Sequence, residues 1–220
     1  MNFTLLLKDE LEGFYKSSVM IVLWTGMPVF SILLYLISPE MEEGVPFSFM
    51  VTSIISAMGG FVASLILAVH IIHERSKNVY ELFLIRPIKR WHILLSKFFS
   101  VFLCVAVASG LSLLLGVAID YVFNSGTSAG YMSETLKAFA TGAFIIALEC
   151  SGAVLIGVLT SSVLIGILLI IVNHNISSMV MIMPTVIKLP QSFLLSILSG
   201  SLLIILLIFL SVLIFNRKQF

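Results

Sequence analysis

The chain has 220 residues, of which 60% are hydrophobic and only 10% charged, with a net charge of +1. A water-soluble domain needs roughly a quarter of its residues charged, so this composition excludes one and points to lipid as the solvent. It also argues against nucleic acid as a partner, which requires a continuous basic face rather than basic tips between apolar runs.

Residues 2–16 place Phe3, Leu7, Leu11 and Phe14 on one helical face and Lys8, Asp9, Glu12 and Lys16 elsewhere. That pattern predicts an amphipathic helix lying in the membrane interface, although Glu10 intrudes near its apolar stripe. The charges at Lys8, Asp9, Glu10 and Glu12 precede the first apolar run, and no small-residue cleavage site follows it. A cleaved signal peptide is therefore not expected.

A helix rises about 1.5 Å per residue, so about 20 apolar residues cross a hydrocarbon core roughly 30 Å thick. The first candidate span covers 20–37, with Gly26 and Pro28 as an expected kink; the second covers 49–72 and the third 98–123. The stretch 136–183 as one helix would be roughly 70 Å long, so it must fold back. Thr160-Ser161-Ser162, between Gly157 and Gly166, is the expected turn, which yields spans 136–159 and 163–183. The last span, 198–215, stops at Asn216, Arg217 and Lys218. The expected fold is an all-α integral membrane protein, one transmembrane domain over 1–220 with six spans.

Six spans put Lys8, Lys16, Arg75, Lys77, Arg86, Lys89, Arg90, Lys97, Arg217 and Lys218 on one side. The other side holds only Lys137 and Lys188, with Glu40, Glu42, Glu43 and Glu134. The positive-inside rule then places both termini in the cytoplasm, and the chain is expected in the plasma membrane. Small residues recur every fourth position at Ser56, Gly60, Ser64 and Ala68, at Ala108, Ser112 and Gly116, and at Ala143, Ala147 and Ser151. Such stripes let helix backbones approach closely in a compact bundle. Cys104 and Cys150 both fall inside apolar runs and read as small hydrophobes.

Within the membrane, Glu149 falls about halfway along the fourth span, and His174, flanked by Asn173 and Asn175, about halfway along the fifth. In an antiparallel hairpin these groups share one depth. A carboxylate there is costly and has to face the bundle interior, a partner or water. One reading makes Glu149 and His174 a hydrogen-bonded pair that locks the hairpin. The other makes Glu149, Asn173 and His174 part of a translocation path.

The segment 73–97, HERSKNVYELFLIRPIKRWHILLSK, mixes six of the twelve basic residues with Glu74, Glu81 and a run of apolar side chains. Pro87 predicts a break, with a cytoplasmic helix ending near Ile85 and another running through Trp91 into the third span. Tyr80, Phe83 and Leu84 either meet a partner or dip back into the interface.

At this segment the chain resembles the membrane subunits of ATP-binding-cassette exporters of the ABC-2 class. Those permeases carry a charged arginine-glutamate pair, then Glu-Leu-Leu, Pro-Ile and Gly-Lys. Here Glu74-Arg75, Glu81-Leu82-Phe83, Pro87-Ile88 and Ser96-Lys97 stand in the corresponding order, with the charged pair reversed or shifted and Asn78-Val79 in place of the family's Gly-Thr. The ending Phe215-Asn216-Arg217-Lys218 also resembles the family's. The resemblance implies a permease that pairs as a homodimer or heterodimer, binds two cytoplasmic ATPase subunits and exports a substrate. It further implies that Glu74, Arg75, Tyr80, Glu81, Phe83 and Pro87 belong to a coupling helix that docks into the ATPase.

No Gly-x-x-x-x-Gly-Lys-Ser/Thr loop is present, so ATP and its magnesium are expected in the partner chain and not here. Short external loops suit a lipid, a hydrophobic drug or an amphipathic peptide better than a long polysaccharide. Two other readings stand beside this one. An accessory or immunity-type membrane protein could bind a ligand without pumping. An intramembrane enzyme would need more than His70, His73 and Glu74, which have no evident third metal ligand on a facing helix, and no Gly-x-Ser-x-Gly turn exists.

Overall fold

The computed structural model describes residues 3–37, 47–77, 90–123, 129–186 and 192–217, and all of its regular structure there is helical. Helix α1 covers Phe3–Tyr15, α2 Ser18–Ile37, α3 Phe47–Ser76, α4 Arg90–Phe123, α5 Ala129–Leu159, α6 Val163–Val186 and α7 Ser192–Arg217. The six helices α2 to α7 are each long and apolar enough to cross a membrane. The chain is a multi-pass membrane protein.

The expected turn is where the chain reverses: α5 ends at Leu159 and α6 begins at Val163. Thr160 closes the end of α5, its backbone N–H and its hydroxyl both donating to the Ile156 carbonyl, at 2.9 and 2.7 Å. Pro28 lies inside α2, which nevertheless continues to Ile37. Several helices outrun the apolar spans that composition suggests. Helix α3 has 30 residues and α4 has 34, about 45 and 50 Å at the helical rise, against a core of about 30 Å. The extra turns carry the charges of His73 to Arg75 and of Arg90 to Lys97, which need not be in hydrocarbon.

Helices α3 and α5 form the centre and run parallel. Their contacts stay in step along the whole length: Ser48 with Thr135, Ser56 with Gly142, Gly60 with Ile146, and Ile71 with Gly157. The stripe Ser56, Gly60, Ser64 and Ala68 is wholly buried, and so is the stripe Ala108, Ser112 and Gly116 on α4. The third stripe is only partly so, since Ala143 and Ala147 are half-buried and Ser151 is buried. On α5 the approach to α3 is made by Gly142 instead. A Cβ at Gly142 would overlap the Ser56 side chain, so a glycine is required by the closeness of the two backbones. Gly116 on α4 lies against the Ser48 backbone in the same way, where an added Cβ would stand 3.2 Å from the Ser48 Cα.

Helix α1 follows α4 rather than standing apart from the bundle. Phe3 meets His92 and Phe99, Phe14 meets His70 on α3, and Leu6 and Phe14 are buried. At the opposite end of the bundle, Asp120 on α4 caps α3. The Phe47 and Ser48 backbone N–H groups donate to its two carboxylate oxygens at 3.1 and 2.8 Å. These are orphan donors of a helix N-terminus, and a carboxylate satisfies both their hydrogen bonds and the positive end of the helix dipole. Asp120 is 2% exposed. Asp120→Ala should therefore leave two dry amides and cost about 1–3 kcal/mol, read as a lowered unfolding temperature in detergent, with Asp120→Asn intermediate.

Candidate functional site

Two clusters of polar side chains lie inside the bundle. The first is at mid-membrane and joins α5 to α6. Because the hairpin turns at 160–162, Glu149 and His174 lie at similar distances from the reversal and arrive side by side. His174 Nδ1 and Glu149 Oε1 are 3.1 Å apart, and Asn173 Nδ2 donates to Glu149 Oε2 at 3.1 Å. Gly152 leaves the space on α5 that the Asn173 amide fills, and Gly60 on α3 leaves room for the Glu149 side chain. Phe61 on α3 packs on the His174 ring with centroids 5.2 Å apart.

All three residues expected for a translocation path are thus together, but they are not equivalent. Glu149 is completely buried and both of its oxygens are used, whereas the His174 side chain is 28% exposed. The carboxylate holds the imidazole by Nδ1 and leaves Nε2 as the group free of this pairing. Chemically the pair can share one proton, with Asn173 donating to the second oxygen, and so keep a net charge out of hydrocarbon. Asn175, next in the chain, is exposed on the outside of α6.

The second cluster lies at the end of the bundle where α3 stops and α4 starts. Lys97 Nζ lies 2.8 Å from Glu10 Oε1 and 2.7 Å from Glu74 Oε1, with a side chain that is 0% exposed. His70 Nδ1 stands 3.5 Å from Nζ and 3.4 Å from Glu74 Oε1. One ammonium therefore ties α1, α3 and α4 together. This explains the intrusion of Glu10 into the apolar face of α1, because that face rests on a buried cation. The involvement of Lys97 is not legible in its own surroundings.

The nearest sequence signal for this cluster is Glu10 itself, 87 positions from its partner, a separation at which no local periodicity operates.

From the sequence, Glu74 and Arg75 are expected to face a partner ATPase, and the structure engages both with their own chain. Glu74 turns to Lys97, while Arg75 Nη1 donates to the carbonyls of Val158 and Thr160 at 3.0 and 3.2 Å. These carbonyls belong to the last turn of α5 and the residue after it, where a guanidinium satisfies acceptors that the helix leaves open. Tyr80, Glu81, Phe83 and Pro87 lie outside the described residues, as does the break expected at Pro87. Among the described residues no group of three or more His, Cys, Asp or Glu is arranged to hold a metal ion.

No protein-family model matches the chain, and no curated protein matches it.

The Lys97 cluster yields a test of its own. Lys97→Met should leave Glu10 without its cation and Glu74 with only the longer His70 contact, and destabilise the protein by about 3–5 kcal/mol, more than Glu10→Gln alone. Adding Glu10→Gln and Glu74→Gln to Lys97→Met should recover most of the unfolding temperature, because the buried charges are then gone.

Proposed function

We propose that the chain is the membrane-spanning permease subunit of an ATP-binding-cassette exporter of the ABC-2 class. It moves a hydrophobic or amphipathic substrate outward, using ATP hydrolysed with magnesium by two separate cytoplasmic ATPase subunits. The resemblance of residues 74–97 to that family supports the reading, together with six helices able to cross a membrane. The observation that carries it is the ion cluster at Lys97. Helices α3 and α4 flank residues 78–89, and the cluster fastens the bases of both helices to α1. A force applied to the segment between them would reach three helices at once, which is what coupling to an ATPase requires.

In this reading Tyr80, Glu81, Phe83 and Pro87 meet the ATPase, while Glu74 and Arg75 act behind them by holding the helix ends. At mid-membrane, His174 is the path residue, and Glu149 and Asn173 orient it. The partly exposed His174 presents a polar group at a depth where lipid offers no partner, and a second permease subunit supplies one. The excess of Lys and Arg on the side of the termini supports a plasma-membrane protein with both ends in the cytoplasm.

Coupling is tested by purifying the chain with its associated proteins. A separate ATPase should co-purify, and the chain alone should hydrolyse no ATP. Replacing Tyr80, Glu81 and Phe83 together should abolish transport and leave the unfolding temperature unchanged; intact transport in that variant would refute the coupling role. His174→Ala should lower transport with basal ATPase activity retained.

Orientation is tested by cysteine labelling, for which the buried Cys104 and Cys150 give a low background. Glu134→Cys should react with an impermeant reagent applied to whole cells. Lys77→Cys and Arg217→Cys should react only after the membrane is opened. External reaction at Arg217→Cys would mean an odd number of crossings.

A further inference from the structure

Two shallow grooves lie on the outer surface where α1 meets α2 and α4, on either side of one aromatic pair. The first holds about 330 Å³ and is lined by Leu11, Tyr15, Trp24, Leu103, Cys104 and Val107, with Glu12 at its edge. The second holds about 480 Å³ and runs along α2 past Met20, Ile21 and Thr25, with Lys16 at its edge. Tyr15 and Trp24 line both grooves and pack edge to face, their ring centroids 5.4 Å apart. The Trp24 indole N–H donates to the Cys104 carbonyl at 3.1 Å, which fixes the ring as a wall between the grooves. Tyrosine and tryptophan in this combination favour the level of the lipid headgroups.

We propose that the two grooves hold the acyl chains of one diacyl phospholipid with a zwitterionic, primary-amine headgroup, that is, a phosphatidylethanolamine. Two apolar grooves with a common wall match two chains joined at one glycerol. The charges at the edge choose the headgroup. Lys16 and Glu12 lie one turn apart and form a long ion pair at 3.9 Å, well exposed and so of little net worth. A zwitterionic headgroup can exchange with this weak pair, its phosphate taking Lys16 and its ammonium, which donates hydrogen bonds, taking Glu12. A choline headgroup carries the same charge but no N–H to give Glu12. A glycerol headgroup leaves the lipid anionic, with no cation for Glu12. The inference needs only a membrane-spanning chain and is independent of the transport reading.

The test uses the full chain in nanodiscs made from equal parts of phosphatidylethanolamine, phosphatidylcholine and phosphatidylglycerol, re-extracted into mild detergent. The lipid retained on the protein is then quantified by mass spectrometry. Phosphatidylethanolamine should be retained about tenfold over phosphatidylcholine, the weight of one charge-assisted hydrogen bond. Glu12→Gln, at an exposed position that leaves the fold intact, should remove that preference. Val107→Trp should fill the first groove and lower retention of all three lipids, with elution as folded protein as its control. Equal retention of the three lipids by the unmodified chain would overturn the proposal. So would a preference for phosphatidylglycerol, or a preference for phosphatidylethanolamine that survives Glu12→Gln.

Discussion

The closeness of α3 to α5 governs the rest of the bundle. Lipid gives helices no hydrophobic reason to associate, so contact must come from tight packing and from polar groups that find partners. Gly142 and Gly60 provide the first, since each stands where a larger residue would push the two backbones apart. Ser48 and Thr135 supply a hydroxyl contact at 3.1 Å near the start of the seam. Arg75 closes its other end on the Val158 and Thr160 carbonyls. Because α3 and α5 are held in step over this length, α6 returns from its turn against both of them, and Glu149 and His174 are brought to one place.

Burial of charge is the second constraint, and the chain meets it differently at three depths. At the end where α3 begins, Asp120 accepts hydrogen bonds from two backbone amides. At mid-membrane, Glu149 is satisfied by an imidazole and an amide, groups that need carry no charge of their own. At the other end, where α3 and α4 outrun the apolar core, a full ammonium is shared between two carboxylates. The order is physically sensible: formal ion pairs stand where the helices leave hydrocarbon, and the middle is left to groups that can share a proton. It also separates two kinds of work. The mid-membrane pair joins α5 to α6 and leaves one imidazole partly exposed, and the Lys97 cluster fastens three helix ends together.

Much of this architecture was legible in the sequence because the relevant physics is local. A run of about 20 apolar residues spans hydrocarbon whatever surrounds it, so the number and order of the crossings followed from composition along the chain. Length forced a reversal between 136 and 183, the polar Thr160-Ser161-Ser162 between two glycines placed it, and the shared depth of Glu149 and His174 follows from their distances to it. The helix at Phe3–Tyr15 was visible for the same reason, as a periodic apolar face. What only the tertiary structure decided is which polar groups meet across helices. Lys97 reads in sequence as one more basic residue at the foot of a span, yet it is the most deeply buried cation among the described residues. Glu74 and Arg75, adjacent in sequence, reach different helices, α4 and α5. Asp120, near the end of α4, caps the start of α3. The partners of these groups lie 23 to 87 positions away, on helices whose mutual rotation is set by packing at Gly60, Gly116 and Gly142, and no local pattern encodes that rotation.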